Sequence, residues 1–149
     1  MGKVRVTKQF SFEMAHVLWN YDGPCRNLHG HSYKLFVTVS GYPVKDISDH
    51  KLGMVIDFGD LKEIINETII EEFDHAVIIS SNVPRNNYSS MGTMIEKLQV
   101  VNYQPTCENM VMDFAERIKK RLPPNLELFS LRLDETSSSF AEWYASDNS

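Results

Sequence analysis

The chain has 149 residues, of which 42% are hydrophobic and 23% charged, and its net charge is -5. That length fits one domain over residues 1–149 with room for a sizeable core. The negative balance argues against a nucleic-acid binder, and no apolar run is long enough to span a bilayer.

Residues 4–17 alternate in polarity. Val4, Val6, Lys8, Phe10, Phe12, Met14 and His16 share one face, while Arg5, Thr7, Gln9, Ser11 and Glu13 share the other. This predicts a long strand with one apolar and one polar side. The polar side faces water or lines a wet interior built from several copies of the sheet. The strand pattern begins at once, with no signal-peptide core, so a cytoplasmic location with Cys25 and Cys107 as free thiols is expected. Residues 20–27 contain Asp22-Gly23-Pro24 and read as a loop. A second strand is predicted over 31–42, with Tyr33, Leu35, Val37 and Val39 on the His31 face, and a connection over 43–53. A helix follows from about Gly59 to Glu72, with Asp57 as its N-cap and Leu61, Ile64, Ile65, Thr68 and Ile69 as its buried stripe. The chain then turns back to extended structure at Phe73–Val77, passes through a long polar loop over 82–93, and has a short strand over 96–102. Thr106 caps a second helix carrying Val111, Phe114, Ala115, Ile118 and Leu122, which Pro123-Pro124 stops. Residues 126–135 form a strand with Phe129, Leu131, Leu133 and Glu135 on one face, residues 140–145 form the last strand, and the tail from Ser146 is loose. The order predicts an α+β fold, two helices packed on one face of an antiparallel sheet.

The chemistry concentrates around Cys25-Arg26-Asn27-Leu28-His29-Gly30-His31. In an extended segment His29 and His31 point to the same side, and Gly30 permits close approach of the backbone to a ligand. His16 ends the preceding strand. Antiparallel pairing of the two strands brings it to the pair and makes a three-histidine site with one open position, the layout of a catalytic zinc. Cys25 lies beside Arg26 and this site, a setting that favours the thiolate. Cys107 falls on the Val111–Phe114 side of its helix and reads as core. Asp74-His75 stands at a helix end, where a solvent-facing pair is the plain reading. Glu108 suits the positive end of a helix. Glu135 ends an apolar strand face, where a carboxylate is costly without a partner. His50, beside Asp49, reads as exposed.

Phe12-Glu13-Met14-Ala15-His16, Cys25 with His29-Gly30-His31, Asp74-His75, Pro105-Thr106-Cys107-Glu108-Asn109 and Glu135-Thr136 occur in this order. Taken together, they resemble the pyruvoyl-tetrahydropterin synthase superfamily over about residues 5–145. The three residues between Cys25 and His29 resemble the branch that forms 6-carboxy-tetrahydropterin for queuosine and deazapurine synthesis. The resemblance implies the tunnelling fold: a four-stranded antiparallel sheet with two helices on one face, trimerising into a barrel. Two trimers stack as a homohexamer, with active sites between subunits. It implies a pterin triphosphate substrate, zinc held by His16, His29 and His31, Cys25 as general base and Asp74 with His75 as proton relay. Glu135 would anchor the pterin, with Thr106 and Glu108 near it. A pyruvoyl-forming or dihydroneopterin-cleaving enzyme of the same fold is the nearest alternative. A metal-binding module without catalysis is the alternative from another class. Residues 76–104 run longer than in compact members and read as a lid or interface arm. Lys34 and Arg26 are candidates for attracting the triphosphate.

Overall fold

The computed structural model describes residues 2–149. Strands β1 (Val4–His16) and β2 (His29–Gly41) pair antiparallel along their whole length, from Val4 opposite Gly41 to His16 opposite His29. The predicted alternation holds: Phe10, Phe12, Met14 and His16 are buried, and Thr7, Gln9, Ser11 and Glu13 are exposed. Gly30 also suits the strand pair, because a Cβ there would stand 3.3 Å from the carbonyl oxygen of Met14.

Helix α1 (Phe58–Ile65) starts at Asp57, whose carboxylate accepts the Gly59 amide at 2.7 Å. It runs through a widened π-type turn (Asn66–Ile70) into α2 (Glu71–Phe73). Leu61, Ile65, Ile69 and Phe73 are fully buried at a constant spacing of four. A strict α-helix drifts away from that spacing, and the wide turn keeps Phe73 facing the core. Strands β3 (Ala76–Ser80) and β4 (Leu98–Val101) follow, then α3 (Cys107–Lys119), capped by the Thr106 hydroxyl, and strands β5 (Glu127–Asp134) and β6 (Phe140–Tyr144).

The sheet has six strands in the order β4-β3-β1-β2-β5-β6, and so extends beyond the four antiparallel strands expected. Strand β3 joins β1 in parallel, and β4 joins β3 in parallel, making the sheet mixed. Both additions are short runs, too brief for their pairing to show as a period in the sequence. The helices pack on one face, as predicted. Phe12, Phe73 and Phe114 meet edge-on at its centre, with ring centroids 6.1 Å and 4.9 Å apart. Burying side chains of this size contributes about 1.5–3 kcal/mol each.

Three local readings change. A bulge in β5 places Ser130 opposite Thr38 and Leu128 opposite Val39, so Leu128 is buried instead of Phe129. Phe129 carries the Arg5 guanidinium 3.8 Å from its ring centre. The tail also closes a turn, in which the Asn148 amide side chain donates to the Tyr144 carbonyl at 2.8 Å. The segment expected as a polar loop over 82–93 instead forms short 3-10 turns (Arg85–Asn87 and Ser89–Ile95) that turn Val83, Tyr88, Met91 and Ile95 toward Val77 and Ile79. No helix among the described residues is long and apolar enough to cross a membrane.

Candidate active site

The β1–β2 register fixes the three histidines. His16 lies directly opposite His29, and His31 lies opposite Met14, one pleat further along the same face. One ring nitrogen from each falls within 4.8 Å of the others. The His16 Nδ1–H donates to the Pro105 carbonyl at 2.7 Å, and the His29 Nδ1–H donates to the Asn27 carbonyl at 2.6 Å. A carbonyl only accepts, so both rings carry their proton on Nδ1 and turn an Nε2 lone pair inward. Those two Nε2 atoms stand 3.1 Å apart. Burial pushes the His16 pKa down to about 4, which keeps that ring neutral. Two lone pairs at this separation repel unless a cation or a proton lies between them. The His31 Nε2 is buried without a hydrogen-bond partner and has the Glu135 carboxylate 3.8 Å away. A divalent cation satisfies all three nitrogens, and the carbonyl contacts behind His16 and His29 orient their rings as metal ligands require.

Beside the histidines opens a cleft of about 470 Å³ lined by Cys25, Gln104, Thr106, Cys107, Glu108 and Glu135, together with residues 18–21. Cys25 enters from the loop between β1 and β2, in a single 3-10 turn (Pro24–Arg26), and is half-buried. Glu135 follows β5, held by a turn in which its N–H donates to the Ser139 carbonyl at 3.0 Å. Thr106 and Glu108 come from the start of α3. The Thr106 oxygen accepts the Asn109 amide at 3.2 Å, and Glu108 is exposed at the rim. Cys107 is buried, as the sequence implied, yet it also forms part of the cleft wall. Its thiol donates to the Leu133 carbonyl at 3.2 Å, and burial, with Glu135 nearby, pushes its pKa up to about 12.

Asp74 and His75 do not line this cleft. They turn the chain from α2 into β3, on the edge of β1 away from β2. The His75 backbone is left-handed, with φ at 60°, and its N–H donates to the Glu13 carbonyl at 2.6 Å. Asp74 Oδ1 accepts the Glu13 amide at 2.9 Å and lies 3.0 Å from His75 Nδ1. Burial pushes the Asp74 pKa up, but the bonds from Glu13 and His75 outweigh it and hold the carboxyl below its usual range. The His75 side chain is 77% exposed, so the pair is built and displayed, but not toward this chain's own cleft.

Neither expected cation borders the cleft. Arg26 lines a separate apolar cavity under residues 83–95, and Lys34 is exposed on the polar side of β2. Two residues in or beneath the site carried no sequence signal. Tyr33 lies under His16 and His31, fully buried, with a hydroxyl that finds no partner among the described residues. Gln104 lines the cleft and directly precedes the Pro105-Thr106 cap signal.

The family model described as 6-pyruvoyl tetrahydropterin synthase matches residues 5–146. A Haemophilus influenzae protein named 6-carboxy-5,6,7,8-tetrahydropterin synthase is 41% identical over 143 residues, covering 93% of this chain and 97% of the relative. An Aquifex aeolicus protein of the same name is 31% identical, covering 95% and 98%. Among solved structures, an uncharacterised protein of Wolinella succinogenes superposes with a TM-score of 0.79 at 22% identity, covering 97% of this chain and 99% of that one. The 6-pyruvoyl tetrahydropterin synthase of Caenorhabditis elegans superposes with a TM-score of 0.67 at 23% identity, covering 97% of both. The structural matches establish a shared fold.

Proposed function

This chain belongs to the 6-pyruvoyl tetrahydropterin synthase family, and on that premise we propose that it is a 6-carboxy-5,6,7,8-tetrahydropterin synthase. It is a cytoplasmic lyase that converts 7,8-dihydroneopterin triphosphate to 6-carboxy-5,6,7,8-tetrahydropterin, acetaldehyde and triphosphate on the route to queuosine. The names of its relatives support this branch, as does the three-residue spacing between Cys25 and His29. The observation that carries the reading is the convergence of three imidazole nitrogens within 4.8 Å of one another, with Glu135 3.8 Å from His31 and sharing a cleft wall with the half-buried Cys25.

The donor set fits zinc: three imidazoles, with one ring nitrogen of each converging within 4.8 Å of the others. His16, His29 and His31 would hold it, and the chemistry supplied there is Lewis-acid polarisation of oxygens on the substrate side chain. Glu135 accepts two parallel N–H donors from the amino group and ring nitrogen of the pterin, which fixes the ring in the cleft. Thr106 and Glu108 border the same ring. Cys25 takes a proton from the side-chain carbon held above the histidines. Asp74 and His75 deliver or remove the second proton in the site of a neighbouring copy, a reading supported by their absence from the lining of this chain's cleft and by the exposure of His75. Trimers closed through the sheet edges, stacked as a homohexamer, meet that requirement. They also cover β4 and β6, whose outer edges are otherwise unpaired. The triphosphate draws its positive charge from outside the cleft, since no lysine or arginine lines it.

Incubating the metal-loaded protein with 7,8-dihydroneopterin triphosphate and weighing the products tests the reading. Carboxy-tetrahydropterin with acetaldehyde is the expected outcome. A pyruvoyl-tetrahydropterin or a cleaved pterin without the carboxylate would assign the chain to another branch of the family.

A further inference from the structure

The loop that carries Cys25 has little to hold it. Inside it, Leu18 N–H donates to the Cys25 carbonyl at 3.2 Å, and Arg26 N–H donates to Gly23 at 3.2 Å. Asn27, which leads into β2, donates its N–H and its side-chain amide to the Pro24 carbonyl, each at 3.1 Å, and among the described residues the hydrogen bonds from residues 18–26 to parts of the chain distant in sequence all go through one side chain. The Trp19 N–H donates to Gln104 Oε1 at 3.0 Å, and Gln104 Nε2 donates to the Trp19 carbonyl at 2.8 Å. A primary carboxamide holds a donor and an acceptor side by side, so it pairs with both backbone groups of one residue as a neighbouring strand would. Trp19 adjoins Leu18, and Leu18 is bonded to Cys25. The restraint therefore reaches the thiol through two links.

Gln104 is itself fixed. Its carbonyl accepts Thr106 N–H at 2.7 Å and the Asn109 side-chain amide at 3.0 Å. The next residue, Pro105, supplies the carbonyl that orients His16. Two consecutive residues thus hold the two parts of the site. Gln104 holds the loop of the thiol, and Pro105 holds a histidine of the proposed metal set.

We propose that Gln104 is a positioning residue for Cys25: its paired hydrogen bonds to Trp19 set where the thiol stands relative to the three histidines. The inference rests on the proposed lyase reading for its kinetic consequence, but not for its structural one. Gln104→Met keeps the length and removes both bonds. Gln104→Glu still accepts from Trp19 N–H but cannot donate to the Trp19 carbonyl.

The test uses the full metal-loaded protein and three measurements: metal content, kcat and KM for 7,8-dihydroneopterin triphosphate, and the rate at which iodoacetamide alkylates Cys25, read by peptide mass. The expected result for Gln104→Met is unchanged metal, KM within about threefold and kcat lower by about tenfold or more, the scale on which a misplaced reacting group loses rate. Cys25 alkylation rises by about threefold or more as the loop is freed, while Cys107 labelling stays as in the wild type. Gln104→Glu falls between the two. A packing role predicts the reverse order, with Gln104→Met near wild type, and that order overturns the proposal. So does wild-type kcat in Gln104→Met. If Gln104→Met does not fold, Gln104→Glu decides, and wild-type kcat and alkylation there overturn the proposal. If the wild-type protein does not turn over this substrate, the lyase reading fails, and the alkylation rates alone decide. Equal rates in wild type and Gln104→Met then overturn the positioning role.

Discussion

Strand β1 has a neighbour on each edge near its end, and the two sides are built differently. Toward β2 stand the three histidines, on regular paired strands, with His16 only 1% exposed. Toward β3 stands the Asp74–His75 turn, with a left-handed His75 and an imidazole 77% exposed. The histidines point into their own protein and converge. The Asp-His pair is fixed just as firmly at its backbone, yet it presents its side chains outward. Under the proposed function, the β2 side carries the complete set of three candidate metal ligands, and the β3 side carries a pair that a neighbouring copy would use.

The largest effect should come from the complete side. His31→Ala removes one of three ligand nitrogens, and the purified protein should lose its metal and all measurable turnover. His75→Ala should keep the metal while losing activity. Elemental analysis separates the two, and equal metal loss in both would erase the distinction drawn here. Cys25→Ala comes next. It should keep metal and assembly while turnover falls by about 100-fold or more, the scale of a lost general base. Metal loss in that variant would make the thiol a ligand.

A mixing experiment sharpens the comparison directly. If each site takes its cleft from one copy and its Asp-His pair from the next, the Cys25→Ala and His75→Ala defects lie on different contributors. Co-expressed in equal amounts, they should regain roughly a quarter of wild-type activity, the chance that an intact cleft meets an intact pair in a symmetric ring. Activity no higher than the sum of the two single variants would return Asp74 and His75 to their own chain's cleft.

The two sides of β1 also differ in how far they were legible. The β1–β2 side could be read because period-2 alternation over thirteen residues on each strand fixes faces and register, and with them the convergence of His16, His29 and His31. The caps at Asp57 and Thr106 were readable for a local reason, a short polar side chain placed where free helical amides need an acceptor. On the β3 side the extended segments were readable, but their parallel place in the sheet was not. Ala76–Ser80 and Leu98–Val101 are brief, and parallel pairing joins segments that no hairpin turn links. The bulge that turns Phe129 away from the core adds one residue and leaves no compositional mark. Gln104 was invisible because its role depends on meeting Trp19, which lies 85 positions earlier in the chain. Asp74-His75 could be found as a motif, and its plain reading as a solvent-facing pair agrees with the exposed His75, but the positive φ of His75 is not announced by the sequence.

The smallest expected effect tests whether a place in the cleft is enough to confer a role. Cys25 and Cys107 line the same cleft, and chemistry, not location, separates them. Cys25 sits on a loop and is half-buried. Cys107 is 7% exposed, donates its proton to the Leu133 carbonyl at 3.2 Å, and has a pKa pushed up to about 12 by burial and Glu135. At neutral pH it is a thiol facing a carbonyl, with neither the charge nor the freedom of a base. Cys107→Ala should therefore leave turnover within about twofold of wild type, in contrast to the large loss expected for the base. It should cost about 1 kcal/mol of stability, the scale of a small core truncation with one weak bond lost, read as a lower urea midpoint. A loss of turnover as large as that of Cys25→Ala, with the metal retained, would mean that the wall of the cleft takes part in the chemistry and that the base has been assigned to the wrong thiol.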